Sequence, residues 1–258
     1  MQMNKISAVI ICRNEAGIIG KSLESLQGLT DDIIVYDNGS TDNTWQVVRS
    51  YKAQLHTGNW EGFGKTKSKA ISLAKYDWIL SLDADEAIDE ALKKTLLHLD
   101  LSDADTVYDI PFKNFFGDKH LKYGEWGRDH HIRLFNRKNV NWNESPVHEQ
   151  LVLPHGTKVQ TIKGSVLHYT AVNIKEYEAK LMKYAALNAE KYQQQGKKAG
   201  PLKKYLAAFF SFLQNYVLRL GFLDGVAGYK CAVLMARYTF VKYKKLECIL
   251  QEQSKEIF

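Results

Sequence analysis

Residues 78–86, Trp78-Ile79-Leu80-Ser81-Leu82-Asp83-Ala84-Asp85-Glu86, pass from an apolar stretch straight into three carboxylates. A short apolar run bounded by polar residues predicts a buried strand. Carboxylates at its end then fall at the C-terminal edge of a sheet, where open α/β sheets bind their ligands. Asp83 and Asp85 are two apart and point the same way if the strand geometry continues. Hard oxygen ligands held close together suit Mg²⁺ or Mn²⁺, ions that bridge to substrate phosphates. The same acids also suit the N-terminus of a helix beginning near Asp89. The nonapeptide alone leaves both readings open.

Upstream, the pattern repeats. Ile6–Cys12 (ISAVIIC) reads as a buried parallel strand, broken by Arg13-Asn14-Glu15. Ile18, Ile19, Leu23 and Leu26 follow at helical spacing. Residues 32–36 (DIIVY) read as a second strand, ending in the turn cluster Asp37-Asn38-Gly39-Ser40-Thr41-Asp42 before a helix with Trp45, Val47 and Val48. A weaker strand at Gln54–Thr57 and a helix over 65–75 lead into the opening stretch. Strands alternating with helices predict βαβ units and an α/β, Rossmann-like fold with a mainly parallel sheet.

Downstream, a helix is expected over 89–99 and strands over 106–112 and 132–136. The polar, aromatic loop between those strands is long enough to suggest function. Residues 147–153 and 165–169 read as further strands. After Thr170 the signal turns helical: Ile174, Tyr177, Leu181 and Tyr184 form one stripe, and Leu206, Phe209, Leu213, Tyr216 and Leu220 another. A third helix is expected over 226–245, ending in Lys242, Lys244 and Lys245. The predicted organisation is a catalytic domain over 1–171, with halves 1–100 and 101–171, and a basic amphipathic helical tail over 172–258. Arg219 and Asp224 interrupt the best apolar run, so no spanning helix is expected.

Charge divides along the same line. Residues 1–171 hold 20 Lys/Arg and 22 Asp/Glu, whereas 172–258 hold 15 and 7, an excess of eight positive charges. Cys12, Cys231 and Cys248 show no metal-ligand spacing and cannot all pair, which suggests a reducing, cytosolic setting. No leader segment is evident in Met-Gln-Met-Asn-Lys, so export is not expected.

Glu15, Asp37 and the pair Asp83 and Asp85 all follow apolar strands, so a parallel sheet brings them to one edge. A phosphate beside so many acids needs cations, which a divalent metal with Lys65, Lys67 and Lys69 would provide. A nucleotide site fits the set, although each acid singly also suits a first helical turn or an Asx-turn. Gly62-Phe63-Gly64-Lys65-Thr66 lacks the spacing of a P-loop, and no Gly-x-Gly-x-x-Gly fingerprint is present.

These pieces resemble the family 2 glycosyltransferases, whose nucleotide-sugar domain has the GT-A fold. The resemblance rests on Ile10-Ile11-Cys12-Arg13-Asn14-Glu15, Asp37-Asn38-Gly39-Ser40-Thr41-Asp42, Gly62-Phe63-Gly64 with Lys67, and Leu82-Asp83-Ala84-Asp85-Glu86. It continues through residues 132–137, Pro146-Val147-His148-Glu149 and Leu167-His168-Tyr169-Thr170. The whole chain is similar to a bacterial subgroup that includes lipopolysaccharide inner-core β-glucosyltransferases. The resemblance implies that Cys12, Arg13, Glu15 and Asp37 contact the base and ribose of UDP, with Lys67 facing the nucleotide. It makes Asp83-Ala84-Asp85 the DxD motif of a Mg²⁺- or Mn²⁺-dependent enzyme. Asp85 is then the direct metal ligand at the catalytic centre, Asp83 faces ribose or the ion's water shell, and His168 is a further metal candidate. Asn38 departs mildly from the usual Ser or Asp. The family inverts anomeric configuration, and Glu149 is the candidate base that takes the acceptor hydroxyl's proton. Glu144, Asp129 and Glu125 compete for that role. Trp126, Arg128, His130 and His131 suggest an acceptor-sugar platform or, equally, an ordinary packed loop.

The implied activity moves glucose or another hexose from a UDP-sugar to a lipopolysaccharide-core or other cell-surface glycan. Two alternatives are transfer to a polyprenyl phosphate and nucleotide-sugar binding without turnover. The basic amphipathic tail suits the inner face of the cytoplasmic membrane, or a second copy of the chain in a homo-oligomer. Nucleic acid is not an expected partner, because no recognised binding module accompanies the charge.

Overall fold

The computed structural model describes residues 4–143, 150–171 and 174–256. The N-terminal half runs β1 (Ile6–Cys12), α1 (Ile19–Leu26), β2 (Ile33–Asp37), α2 (Thr44–Arg49), β3 (Gln54–Thr57), α3 (Phe63–Ser72) and β4 (Trp78–Asp83). These strands lie in the order β3-β2-β1-β4, all parallel. β1 and β2 are buried throughout because helices cover both faces. Ile6, Ala8 and Ile10 of β1 pack on one side with Ile19, Leu23 and Leu26 of α1. Val9 and Ile11 pack on the other with Ala70 and Ile71 of α3. That alternation is the two-residue period of a strand.

Next come β5 (Glu86–Ile88), α4 (Glu90–His98), β6 (Thr106–Phe116), β7 (Lys119–His120), β8 (His130–Asn136), β9 (Asn141–Trp142), β10 (Leu151–Val152), β11 (Lys158–Thr161) and β12 (Val166–Ala171). β8 extends the sheet antiparallel to β4, and β6 lies antiparallel to β8. β12 pairs antiparallel with β5. The result is the mixed, mostly parallel α/β sheet of the GT-A fold. Asp89, not the acids before it, caps α4: its Oδ1 accepts from Leu92 N at 2.8 Å and from Ser165 N at 3.1 Å. The helix-cap explanation of Asp83, Asp85 and Glu86 therefore falls away.

The chain forms two compact units, one of Met1–Phe112 with His130–His168 and one of Lys113–Asp129 with Tyr169–Phe258. The second unit holds α5 (Ile174–Gln194), α6 (Lys203–Leu213) and α7 (Gly225–Glu256), the last extending past the expected end near residue 245. α6 and α7 form an antiparallel hairpin. Tyr205 meets Phe240 with ring centroids 5.5 Å apart, Phe212 meets Tyr229 at 6.1 Å, and Lys204 Nζ lies 2.6 Å from Glu247 Oε2. Segment 113–129 belongs to this unit, where Trp126 packs between Phe116 and Tyr177. Among the described residues no single helix is long and apolar enough to cross a membrane.

Candidate active site

The parallel register brings the strand ends together. Cys12 lies opposite Asp37, and Ile11 lies opposite Asp83, so β1, β2 and β4 end on one sheet edge. The loops beyond them are stitched to each other. Asn14 N donates to Ser40 Oγ at 2.8 Å, Thr41 N donates to Asn14 Oδ1 at 2.7 Å, and Ala16 N donates to Asp42 Oδ2 at 3.1 Å. Glu15 N donates to Thr44 Oγ1 at 2.9 Å, and Arg13 is exposed at the same edge.

Asp37 is fully buried and serves its own turn. Its Oδ1 accepts from Gly39 N at 3.0 Å, Ser40 N at 2.9 Å and Trp45 Nε1 at 2.9 Å, while Oδ2 accepts from the Ser40 hydroxyl. The Cys12 thiol also points at Oδ2, at 3.5 Å. Burial works against the Asp37 charge, but these donors outweigh it and hold the carboxyl below its ordinary pKa. Neighbouring Asn38 presents a buried side-chain amide whose oxygen and nitrogen have no partner among the described residues. An unpaired amide is costly to bury, and a donor–acceptor pair of this kind matches the edge of a base. Asn38, a mild departure from the usual Ser or Asp, is thus a nucleotide-facing candidate.

The acid turn after β4 is organised by cations. Lys67, almost wholly buried on α3, lies 2.9 Å from Asp83 Oδ1 and 4.7 Å from the Trp142 ring centroid. Arg133 Nη2 on β8 lies 3.3 Å from Asp83 Oδ2 and also donates to Glu86 Oε1. Glu86 Oε2 accepts from Asp83 N at 3.1 Å, closing the turn. Burial opposes the Asp83 charge, yet Lys67 and Arg133 hold that carboxyl well below the usual range. Glu86 shifts the other way: burial, Asp83 and Asp85 raise it despite Arg133.

Asp85 takes a different partner. The β5–β12 register sets His168 opposite Glu86, and His168 Nε2 comes to 3.5 Å from Asp85 Oδ2. Burial favours the neutral imidazole, but Asp85, backed by Glu86 and Asp83, raises its pKa. Phe112 supports this corner, 5.8 Å from the His168 ring and 5.3 Å from the Arg133 guanidinium. Carboxylate oxygen and imidazole nitrogen at one partly open point fit a divalent cation that keeps water and substrate oxygens as its other ligands. Among the described residues no group of three or more His, Cys, Asp and Glu side chains gathers as a metal cage.

A cleft of about 460 Å³ opens beside Asp83, lined by Lys67, Arg133, Asp109, His130, His131 and Trp142 among others. His130 Nδ1 lies 2.8 Å from Asp109 Oδ2 on its wall. Trp126 and Arg128, expected with these histidines in one platform, belong instead to the helical unit. Glu149, Glu144 and their neighbours through His148 lie outside the described residues. Sequence reasoning missed Arg133, whose role depends on β8 pairing with β4, and left Glu86 unassigned.

An α/β sheet with this strand order and an acid turn at its ligand edge fits the GT-A class, and the family match supplies the chemistry. Residues 7–152 match the model of Glycosyl transferase family 2, and the chain belongs to that family. It is 28% identical to the uncharacterized glycosyltransferase RP128 of Rickettsia prowazekii (strain Madrid E), over 95% of this chain and 87% of that protein. It is 29% identical to the lipopolysaccharide core biosynthesis glycosyltransferase LpsC of Rhizobium meliloti (strain 1021), over 93% of this chain and 91% of that one. Among solved structures it is similar to S. aureus TarS 1-349, with 16% identity and a TM-score of 0.46 over 97% of this chain and 92% of that one.

Proposed function

We propose that the protein transfers a hexose, such as glucose, from a UDP-sugar to a lipopolysaccharide-core or related cell-surface glycan, with inversion at C1. It would work at the inner face of the cytoplasmic membrane and depend on Mg²⁺ or Mn²⁺. One observation carries the reading: Asp85 and His168 converge at the ligand edge of a family 2 sheet. The similarity to LpsC over nearly the whole chain, helices included, supports the acceptor class.

In this reading Asp85 and His168 would hold the cation, which would supply positive charge for the leaving diphosphate. Lys67 and Arg133 keep the acid turn in shape and add positive charge beside it. Asn38, Cys12, Arg13 and Glu15 form the nucleotide edge, and Asp37 acts through the loop it holds. The acceptor hydroxyl attacks C1, the bond from C1 to the diphosphate oxygen breaks, and the hydroxyl proton passes to a base. Glu149 remains our candidate for that base. A second reading follows from the 2.8 Å His130–Asp109 contact, because a carboxylate fixes an imidazole's tautomer for proton transfer.

The test is donor-dependent release of UDP with a core-oligosaccharide acceptor, with and without Mn²⁺. Asp85→Ala should lower turnover on the order of 10²-fold or more. If no UDP-sugar supports metal-dependent transfer, the donor assignment is wrong. Glu149→Gln and His130→Ala, compared in the same assay, separate the two bases: the true one abolishes transfer and leaves UDP-sugar binding intact.

A further inference from the structure

The second unit exposes an apolar surface that its own core does not use. Leu206, Phe209 and Phe210 face out from α6, and Leu218, Leu223 and Val226 face out around the hairpin turn, Val226 being 71% exposed. Beside this turn lies a cleft of about 390 Å³, lined by Tyr123, Gly124, Glu125, Arg128, Leu218, Arg219 and Leu220. Its walls are tied together by hydrogen bonds. Gly124 N donates to Arg219 O at 3.0 Å, and buried Asp224 accepts from Lys122 N and Tyr123 N, both at 2.9 Å. Leu220 sits at φ 58°, a costly conformation for a branched side chain. A Cβ on Gly221 would meet Asn215 O at 2.5 Å, so the turn tolerates no side chain there.

The charged lining is two guanidiniums against one carboxylate, Glu125, with the Tyr123 ring beside them. Neither the Arg128 nor the Arg219 side chain has a hydrogen bond or ion pair among the described residues. Guanidinium forks match phosphate oxygens bidentately. Leu218 and Leu220 are on the same lining, so a ligand that reaches both arginines also meets apolar surface.

We infer that this cleft takes the phosphate of an anionic membrane lipid while the surrounding leucines, valine and phenylalanines enter the headgroup boundary. The inference rests on the membrane reading above and gives it a site. Charge complementarity favours a bilayer over a second copy: residues 172–258 carry an excess of eight positive charges, which an anionic leaflet attracts and an identical unit repels.

The experiment is co-sedimentation of the full chain with phosphatidylcholine vesicles, with and without phosphatidylglycerol. The wild type should bind only the anionic vesicles. Arg128→Gln/Arg219→Gln should weaken that binding roughly 25-fold, at about fivefold per cation near the surface. Its melting temperature should not change, since neither side chain has a partner among the described residues. Lys244→Gln/Lys245→Gln removes the same charge from the far end of the hairpin and should weaken binding several-fold less. Equal losses in the two variants would overturn the lipid-phosphate site while leaving diffuse membrane attraction. A wild type that ignores both vesicles, or hides the surface in a dimer, would remove the membrane reading as well.

Discussion

Arg133 satisfies Glu86 at a place where neither side chain reaches much solvent. Removing one partner of a buried ion pair leaves the other uncompensated, which costs about 3–5 kcal/mol. Arg133→Met should therefore destabilise the protein by that order in urea unfolding. Glu86→Gln keeps hydrogen-bonding capacity and should cost less. Asp37 provides a pH-dependent counterpart. Its carboxyl is held below its unfolded value, so its contribution is complete above about pH 5 and fades as pH falls through the folded value. Asp37→Asn should be less stable than wild type by about 1–3 kcal/mol at neutral pH. The gap should narrow under acid, and an undiminished gap there would contradict the assignment. Thiol labelling tests burial: Cys12 and Cys231 are buried, with Cys231 pushed up to about 12, while Cys248 is exposed. Native protein should lose one thiol to a maleimide, and denatured protein all three.

Among the elements, α4 depends on one side chain at its start. Asp89→Ala removes the acceptor for both Leu92 N and Ser165 N and should cost about 1–2 kcal/mol, read as a lower melting temperature. β1, β2 and β4 were legible in the sequence because strands covered on both faces must be apolar throughout. β5, β7, β9 and β11 were not, because a strand of two to four residues is defined by its partner and not by its own pattern. The acids at the strand ends could be read for the same reason as the strands. Arg133 could not, because its reach to Glu86 depends on an antiparallel neighbour far along the chain. His168 was legible only as a histidine after an apolar run. The β5–β12 register gives it Asp85 as a partner.

At the level of the whole molecule, the charge count and the helical pattern both change near residue 172, close to where the main part of the second unit begins at Tyr169. The helical unit claims 113–129 as well as the tail, since Asp224 and the core around Trp126 hold that segment. His130 and His131 line the cleft of the first unit, and Trp126 packs in the core of the second.

The contact between Asp85 and His168 also bears on how the enzyme comes into being. The two residues are separated by roughly eighty positions, a loop whose closure is slow relative to the local βαβ units. During synthesis the parallel strands can assemble while the ribosome is still translating the rest of the chain. The corner formed by Asp85 and His168 cannot exist until β12 has emerged and paired. A nascent chain released short of residue 168 would thus hold a recognisable sheet but lack the Asp85–His168 contact that we propose holds the cation.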